Sequence, residues 1–247
     1  MRVVSGLLIW LLAFAAQAIE ADKLVLAARQ QVGVTLTYDP AYRRLGYPNG
    51  DVPLNTGVCT DVVIRALRQQ GLDLQQAVHQ DMRANFRLYP KNWGLSRPDS
   101  NIDHRRVPNL MTWFKRQGWA LPLGQDAERY RPGDIVTWDL GGGLTHIGIL
   151  SDRQGPGGAP LALHNIGRGA QEEDILFAYR IIGHYRPAAG QARAAHLYRL
   201  RCLIGRRHGR ASWPGAARWA GSNSRSTRSL SDWKAAPFLG SAKRESK

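Results

Sequence analysis

The chain contains few cysteines, few acidic residues and no long apolar segment. Of its 247 residues two are cysteine, and 19 acidic residues stand against 34 Lys and Arg. Two cysteines are too few for a small fold held together by several disulfides. The apolar run from Leu7 to Ala16 falls well short of the roughly 20 residues that span a bilayer. Nucleotide-binding and redox motifs are also lacking, which leaves a globular chain long enough for one or two domains.

Residues 1–18 have the composition of a cleavable export signal. Arg2 supplies a basic start, the apolar run from Leu7 follows, and a small-x-small ending stands at residues 16–18. This order is typical of secretory signals that are removed after export. We therefore expect a signal peptide at residues 1–18, a mature chain that begins near Ile19, and export across the inner membrane into the periplasm.

Basic charge is concentrated at the other end of the chain. Residues 188–247 hold 13 of the Lys and Arg residues against Asp232 and Glu245. This segment is rich in Arg, Ser, Gly and Ala and has no sustained periodicity, which predicts a disordered basic tail. The tail is either a solvated extension or a contact for anionic surfaces, and export disfavours nucleic acid as a partner. A disulfide from Cys59 to Cys202 in such a tail would add little to a core.

Residues 19–187 have the pattern of one α+β domain. Apolar residues recur at helical spacing in four segments and then, after residue 133, alternate as in strands. Helices followed by an antiparallel sheet define the α+β class. The predicted helices are Asp22–Gln31, Val58–Gln70 (capped by Asn55 or Thr56), Asp73–Phe86 and a fourth from Pro108 to Gly118. The predicted strands are Asp134–Trp138, His146–Leu150, Leu161–His164 and Tyr179–Tyr185.

Cys59 lies in the opening turn of the second predicted helix. A thiol reacts as thiolate, and a free pKa of about 8.5 leaves only a few per cent ionised at neutral pH. The positive end of a helix dipole favours the thiolate, and a neighbouring imidazolium would favour it further. Cys59 is therefore the candidate nucleophile, and its own backbone N–H is a natural oxyanion donor.

His146 is the candidate base. In strand alternation it shares a face with Gly148, while Ile147 and Ile149 take the other face, which has the character of a core. A strand histidine is commonly structural and a helix cysteine is commonly core, so this interpretation competes with a purely structural one.

A third polar residue is expected on the next strand. If the hairpin is symmetric about Gly155, His146 and His164 lie directly opposite each other, with Cβ atoms about 5 Å apart. His164 would then fix the tautomer of His146, and Asn165 would point to the other side. One bulge would reverse this preference, so Asn165 is the reserve third residue.

The same three side chains suggest a metal site less well. Cys59, His146 and His164 lack the close Cys-x-x-Cys or His-x-x-x-His pair that zinc sites commonly contain. We therefore predict no metal and no cofactor.

The order of these motifs resembles that of NlpC-like papain-fold peptidases and amidases. The residues that carry this resemblance are Gly57-Val58-Cys59-Thr60-Asp61, Pro132-Gly133-Asp134-Ile135-Val136, His146-Ile147-Gly148-Ile149 and Leu163-His164-Asn165. More narrowly, residues 47–53, 101–110 and 183–186 are similar to a secreted bacterial family known as domain of unknown function 1287. The resemblance spans about residues 21–187 and implies a papain-like fold, with nucleophile, base and third polar residue at Cys59, His146 and His164.

The resemblance implies an exported cysteine hydrolase of the thiol protease type. Its expected substrate is an amide bond in peptidoglycan stem peptides or another periplasmic peptide, cleaved through a thioester acyl-enzyme. Cell-wall members carry Asp-Cys-Ser-Gly around the nucleophile, whereas this chain has Val58-Cys59-Thr60-Asp61, so their substrate contacts do not transfer. The alternative from a different class is a noncatalytic module that binds cell wall or a partner protein on a degenerate papain fold.

Four further charged residues admit two interpretations. Asp61, Asp103, His104 and Arg105 either contribute to substrate binding, with arginine recognising a carboxylate, or hold a loop through an internal salt bridge next to Pro108 at a helix start. Asp61 also lies where an acidic side chain complements the helix dipole.

Overall fold

The computed structural model describes residues 18–187. The predicted signal peptide, apart from Ala18, and the predicted basic tail lie outside this range. Within it the α+β class is confirmed, with helices first and an antiparallel sheet afterwards. No helix among the described residues is long and apolar enough to cross a membrane. The helices are α1 (Ala21–Arg29), α2 (Cys59–Arg68), α3 (Leu74–Asn85) and α4 (Val107–Arg116).

The described strands form a two-stranded parallel pair and a five-stranded antiparallel sheet of order β6-β5-β4-β3-β7. In the turn between β3 and β4, Gly141, Gly142 and Gly143 have φ of 85°, 60° and 81°, a region that favours glycine. The pair consists of β1 (Thr37–Tyr38) and β2 (Thr56–Gly57), and the sheet of β3 (Ile135–Gly141), β4 (Leu144–Gln154), β5 (Pro160–His164), β6 (Gln171–Glu173) and β7 (Arg180–Tyr185).

The sheet has an apolar core on each face. One face carries Ile147 and Ile149 of β4, which pack with the helices. The other face carries Leu150 of β4 and Trp138 of β3, which pack against a smaller cluster around Leu176. Each fully buried side chain of this size contributes about 1.5–3 kcal/mol to folding. The prediction that Ile147 and Ile149 face a core is therefore confirmed, and the face of His146 carries a second, smaller core.

Helix α2 begins where the short strand β2 ends. Its N-cap residue is Val58, so the predicted cap by Asn55 or Thr56 is wrong. The reason is that Thr56 is extended and paired with β1. The cap is supplied from inside the helix, where Asp61 Oδ2 accepts the N–H of Val58 at 2.6 Å. Cys59 is consequently the first helical residue.

The predicted register of the β4–β5 hairpin is wrong by two residues. His164 lies opposite Gly148 rather than His146, and the pairing shifts again between Leu150 and Gln154 near the tip. Irregular pairing at the tip breaks the assumed symmetry about Gly155. Because the displacement is even, both histidines stay on the same face of the sheet, as diagonal neighbours.

Candidate active site

The thiol of Cys59 is buried at the junction of α2 and β4. The side chain is only 5% exposed. Its polar neighbours are the backbone N–H groups of Ile147, Thr60 and Cys59 itself. Burial raises the pKa of the thiol to about 12, and the carboxylate of Asp61 adds to the rise, while the three N–H groups act in the opposite direction. Burial therefore outweighs the stabilisation of the thiolate that was expected from the helix start. The thiol is protonated at neutral pH.

His146 and His164 form a buried pair on one face of the sheet. Nε2 of His146 lies 2.9 Å from Nδ1 of His164, and the rings meet edge-on at 83°. Burial lowers the pKa of His146 to about 3, and the charge of His164 acts in the same direction. His146 is therefore a neutral imidazole at pH 7. Which of its two nitrogens carries the proton depends on whether Nε2 donates to His164 or accepts from it.

The Cys59 thiol contacts the backbone of β4 at the residue that follows His146. The N–H that points to the thiol belongs to Ile147, the residue after His146. Among residues 18–187 no hydrogen bond joins the thiol of Cys59 to the ring of His146. The fold therefore brings the start of α2 to the strand position next to His146, and the direct proton transfer remains a prediction.

Gly148 creates the space in which the two histidines meet. It lies opposite His164. A Cβ at this position would lie 3.1 Å from the Cβ of His164 and 3.3 Å from Cζ3 of Trp138, closer than side chains normally pack. The His-x-Gly spacing at residues 146–148 is therefore explained by the packing of the ring that crosses to His146.

Asp61 and Arg105 bind each other in the interior. Nε of Arg105 donates to Oδ1 of Asp61 at 3.0 Å, and Nη2 donates to Oδ2 at 2.9 Å. Both side chains are almost fully buried. The hydroxyl of Thr60 also donates to the carbonyl of Arg105 at 3.1 Å. These contacts fix the first turn of α2, so the internal salt bridge, and not substrate recognition, is the interpretation that the geometry favours.

Asp103 and His104 are also buried. Asp103 accepts the backbone N–H of Asp99 at 2.5 Å and contacts Arg106 at 3.3 Å. Burial raises the pKa of Asp103 to about 6 and lowers that of His104 to about 3. The predicted substrate contacts of this loop are therefore not available in the described conformation, whereas Pro108 does lie in the first turn of α4, as predicted.

Asn165 contacts the segment before Cys59. Its Nδ2 donates to the carbonyl of Gly57 at 3.1 Å, and its Oδ1 accepts the N–H of Gly167 at 3.1 Å. The side chain is fully buried. It therefore contacts the strand leading to Cys59 and not the ring of His146, and His164 is the third polar residue that the geometry supports.

The Pro-Gly-Asp and Gly-His-Tyr-Arg motifs meet at the other end of β3. Asp134 Oδ2 lies 2.7 Å from Nε2 of His184. Arg186 donates from Nε and Nη2 to the two oxygens of Asp134, each at 2.7 Å. These contacts link the start of β3 to β7, so both motifs have a structural explanation that is independent of chemistry at Cys59.

Glu173 lies next to the histidine pair, a contact that the sequence pattern does not reveal. Its Oε2 lies 3.1 Å from Nε2 of His164. The strand that carries it, β6, has only three polar residues and no apolar alternation, so it was not predicted. No group of three or more His, Cys, Asp or Glu side chains in the described part of the chain is arranged to hold a metal ion.

The chain belongs to the family described as Domain of unknown function (DUF1287), whose model matches residues 25–187. This confirms the narrower of the two sequence resemblances. The chain is similar to a protein of Escherichia coli (strain K12) named Uncharacterized protein YijF, with 61% identity over 159 residues that cover 64% of this chain and 78% of that protein. A solved structure, NlpC1 from Trichomonas vaginalis, is similar at 12% identity and a TM-score of 0.37, over 71% of this chain. This chain spans 48% of the length of that protein.

Proposed function

We propose that the chain is an exported cysteine hydrolase on a papain-like domain, which cleaves an amide bond with Cys59 as nucleophile and His146 as base. The observation that carries this proposal is the buried contact of 2.9 Å between His146 and His164. It holds a neutral imidazole on β4, beside the backbone N–H that points to the Cys59 thiol. A nucleophile at a helix start, a base on a strand and a residue that orients the base are the parts that nucleophilic catalysis requires.

The reaction would begin from a neutral thiol and a neutral imidazole. Nδ1 of His146 removes the thiol proton as sulfur attacks the carbonyl carbon, and the backbone N–H of Cys59 donates to the developing oxyanion. The tetrahedral intermediate collapses to a thioester when the amine leaves with the proton from His146. Water then attacks the thioester with His146 as base, which releases the acid and restores the thiol. Burial disfavours both the thiolate of Cys59 and the imidazolium of His146. Proton transfer that is concerted with the attack of sulfur therefore fits the site better than an ion pair formed before substrate binds.

The proposed substrate is the stem peptide of peptidoglycan. The predicted export signal at residues 1–18 and the resemblance to cell-wall amidases both support a substrate outside the inner membrane. The basic residues after position 187 would add attraction to an anionic polymer. No cofactor is required by this chemistry.

The test is digestion of purified peptidoglycan and soluble muropeptides, with products identified by mass spectrometry. The mature protein should release a fragment that names the bond, and Cys59→Ala should release none. Equal release by both proteins would contradict the assignment of the nucleophile.

One observation favours a second candidate, a noncatalytic binding module. The Cys59 thiol is buried, its pKa is raised to about 12, and no described side chain is hydrogen-bonded to it. A module of this kind predicts no product from any muropeptide, together with binding to peptidoglycan that Cys59→Ala leaves unchanged.

A further inference from the structure

A carboxylate lies at the far end of the histidine pair. Nδ1 of His164 contacts His146 at 2.9 Å, and Nε2 of His164 lies 3.1 Å from Oε2 of Glu173. We propose that Glu173 is a positioning residue that sets the tautomers of both histidines, so that Nδ1 of His146 is left unprotonated and accepts the proton of Cys59. The proposal rests on the proposed function, because it concerns the base of that mechanism.

The sheet aligns these three side chains. His164 pairs with Gly148 of β4 and with Gln171 of β6. The residues two positions away from these partners, His146 and Glu173, are therefore its diagonal neighbours on the same face, one on each side. Diagonal pairs are about 7–8 Å apart at the backbone, within reach of imidazole and glutamate side chains. The three side chains thus lie on three adjacent strands, and backbone pairing fixes their relative positions.

His164 needs an acceptor at Nε2. The side chain is fully buried, and among the described residues Nε2 has no aligned hydrogen-bond partner. The carboxylate of Glu173 is the acceptor nearest to this nitrogen, with Oε2 at 3.1 Å from Nε2. Arg168 holds the other oxygen of Glu173, with Nη2 at 2.5 Å from Oε1. A buried N–H without an acceptor is unfavourable, so this contact selects the tautomer of His164 that carries its proton on Nε2.

The choice at His164 determines the state of His146. With its proton on Nε2, His164 presents Nδ1 as an acceptor, and His146 must donate to it from Nε2. His146 then has a free lone pair on Nδ1. The opposite tautomer of His164 would donate from Nδ1, Nε2 of His146 would accept, and the proton of His146 would lie on Nδ1, where it blocks the transfer from Cys59. Glu173 thus acts on the base through another histidine, as a carboxylate acts on the base of a triad.

The experiment compares the mature protein with Glu173→Ala, Glu173→Gln and His146→Ala. The matched control is Glu172→Gln, because Glu172 is the preceding residue and contacts Arg29 and Ser151 instead. Nitrogen-15 NMR of the histidine rings reports the tautomers of His146 and His164. The rate at which iodoacetamide alkylates Cys59 at pH 7, followed on the Cys59 peptide by mass spectrometry, reports base assistance without a substrate.

We expect both histidines of the unmodified protein to carry the proton on Nε2. Glu173→Ala should populate the other tautomers and slow alkylation about tenfold or more, because general-base assistance to proton transfer contributes about 10²–10⁴-fold. Glu173→Gln keeps an acceptor oxygen and should retain the tautomers, which a purely ionic role for Glu173 does not predict. Glu172→Gln should match the unmodified protein in both measurements.

A proton on Nδ1 of His146 in the unmodified protein would overturn the proposal without any variant. Unchanged tautomers and an unchanged alkylation rate in Glu173→Ala would also overturn it. Slow alkylation of Cys59 in His146→Ala would then leave the proposed function standing. If Cys59 is alkylated as fast in His146→Ala as in the unmodified protein, His146 is not the base of the proposed function. The proposed role of Glu173 is then refuted as well.

Discussion

At the level of single residues, burial determines the charge state of Cys59 and His146, the two groups of the proposed reaction. It raises the pKa of Cys59 to about 12 and lowers that of His146 to about 3. An imidazole with so low a pKa stays neutral, and able to accept a proton, far below its ordinary pKa of about 6.5. The acidic limit of the reaction is therefore expected at lower pH than for an exposed histidine base.

The first prediction concerns this acidic limit. The value of kcat/KM, which reports groups of the free enzyme, should remain within about twofold between pH 7 and pH 5. Hydrolysis of a soluble muropeptide measures it, with circular dichroism at each pH to show that the protein stays folded. A loss of half the activity near pH 6.5 in a folded protein would contradict a buried neutral base.

The second prediction concerns Gly148. Gly148→Ala should lower the free energy of unfolding by about 1–3 kcal/mol and reduce turnover, because the new Cβ crowds His164 and Trp138. Gly157→Ala is the matched control, since a Cβ there meets nothing within 4 Å. Urea denaturation and muropeptide hydrolysis measure the two effects. Equal stability and turnover for the two variants would show that the space beside His164 is not needed.

The residues of the site could be predicted from sequence to different degrees. The placement of Cys59 at a helix start and of His146 on a strand could be predicted, because both are local patterns. The sequence pattern leaves two roles open for Arg105 and makes Asn165 the reserve third residue, because their partners, Asp61 and Gly57, are 44 and 108 positions away. Burial of the thiol could not be predicted from the sequence, since it depends on how α2 packs against β4.

At the level of elements, the start of α2 depends on one buried ion pair. Asp61 accepts hydrogen bonds both from the guanidinium of Arg105 and from the backbone N–H of Val58. Removal of one partner of a buried pair leaves an uncompensated charge, which is more costly than removal of both. The position of Cys59 is tied to this pair, because it lies two residues before Asp61.

The third prediction tests this ion pair. Asp61→Ala and Arg105→Met should each lower the free energy of unfolding by about 3–5 kcal/mol. The double variant should cost no more than either single one, because no buried charge is left unpaired. Urea denaturation of the three proteins measures this coupling. Additive losses would show that the two side chains stabilise the fold independently.

Elements were predicted well where their patterns are long. The ends of α1, α3 and α4 differ from prediction by one or two residues, since apolar periodicity and helix stops define them locally. The register of β4 and β5 was not predictable, because irregular pairing near Gln154 depends on the conformation of the tip. β6 was missed because Gln171–Glu173 has no apolar residue.

At the level of the whole molecule, buried histidines tie stability to pH. Burial lowers the pKa of His104 and of His146 to about 3 and lowers that of His164 as well. The unfolded chain therefore binds more protons than the folded protein between about pH 3 and 6.5, so stability falls as pH falls through this window. Asp103 has the opposite sign, because its raised pKa of about 6 makes the folded protein bind a proton first.

The fourth prediction is a loss of stability in mild acid. The free energy of unfolding should be lower at pH 5 than at pH 7, by about 2 kcal/mol for each of His104 and His146. The lowered pKa of His164 adds to this loss, and Asp103 partly offsets it. Urea denaturation at the two pH values measures the difference. His104→Gln should reduce the pH dependence by one histidine's share, and an unchanged difference in that variant would contradict the assignment.

The central claim is that Cys59 carries the reaction, and selective alkylation tests it most directly. Iodoacetamide is added to the mature Cys202→Ala protein, and muropeptide hydrolysis is followed together with the alkylated fraction of Cys59 by mass spectrometry. We predict that activity falls in proportion to alkylation and reaches zero when Cys59 is fully modified, as in Cys59→Ala. Full hydrolytic activity in a protein whose Cys59 is completely alkylated would contradict the account.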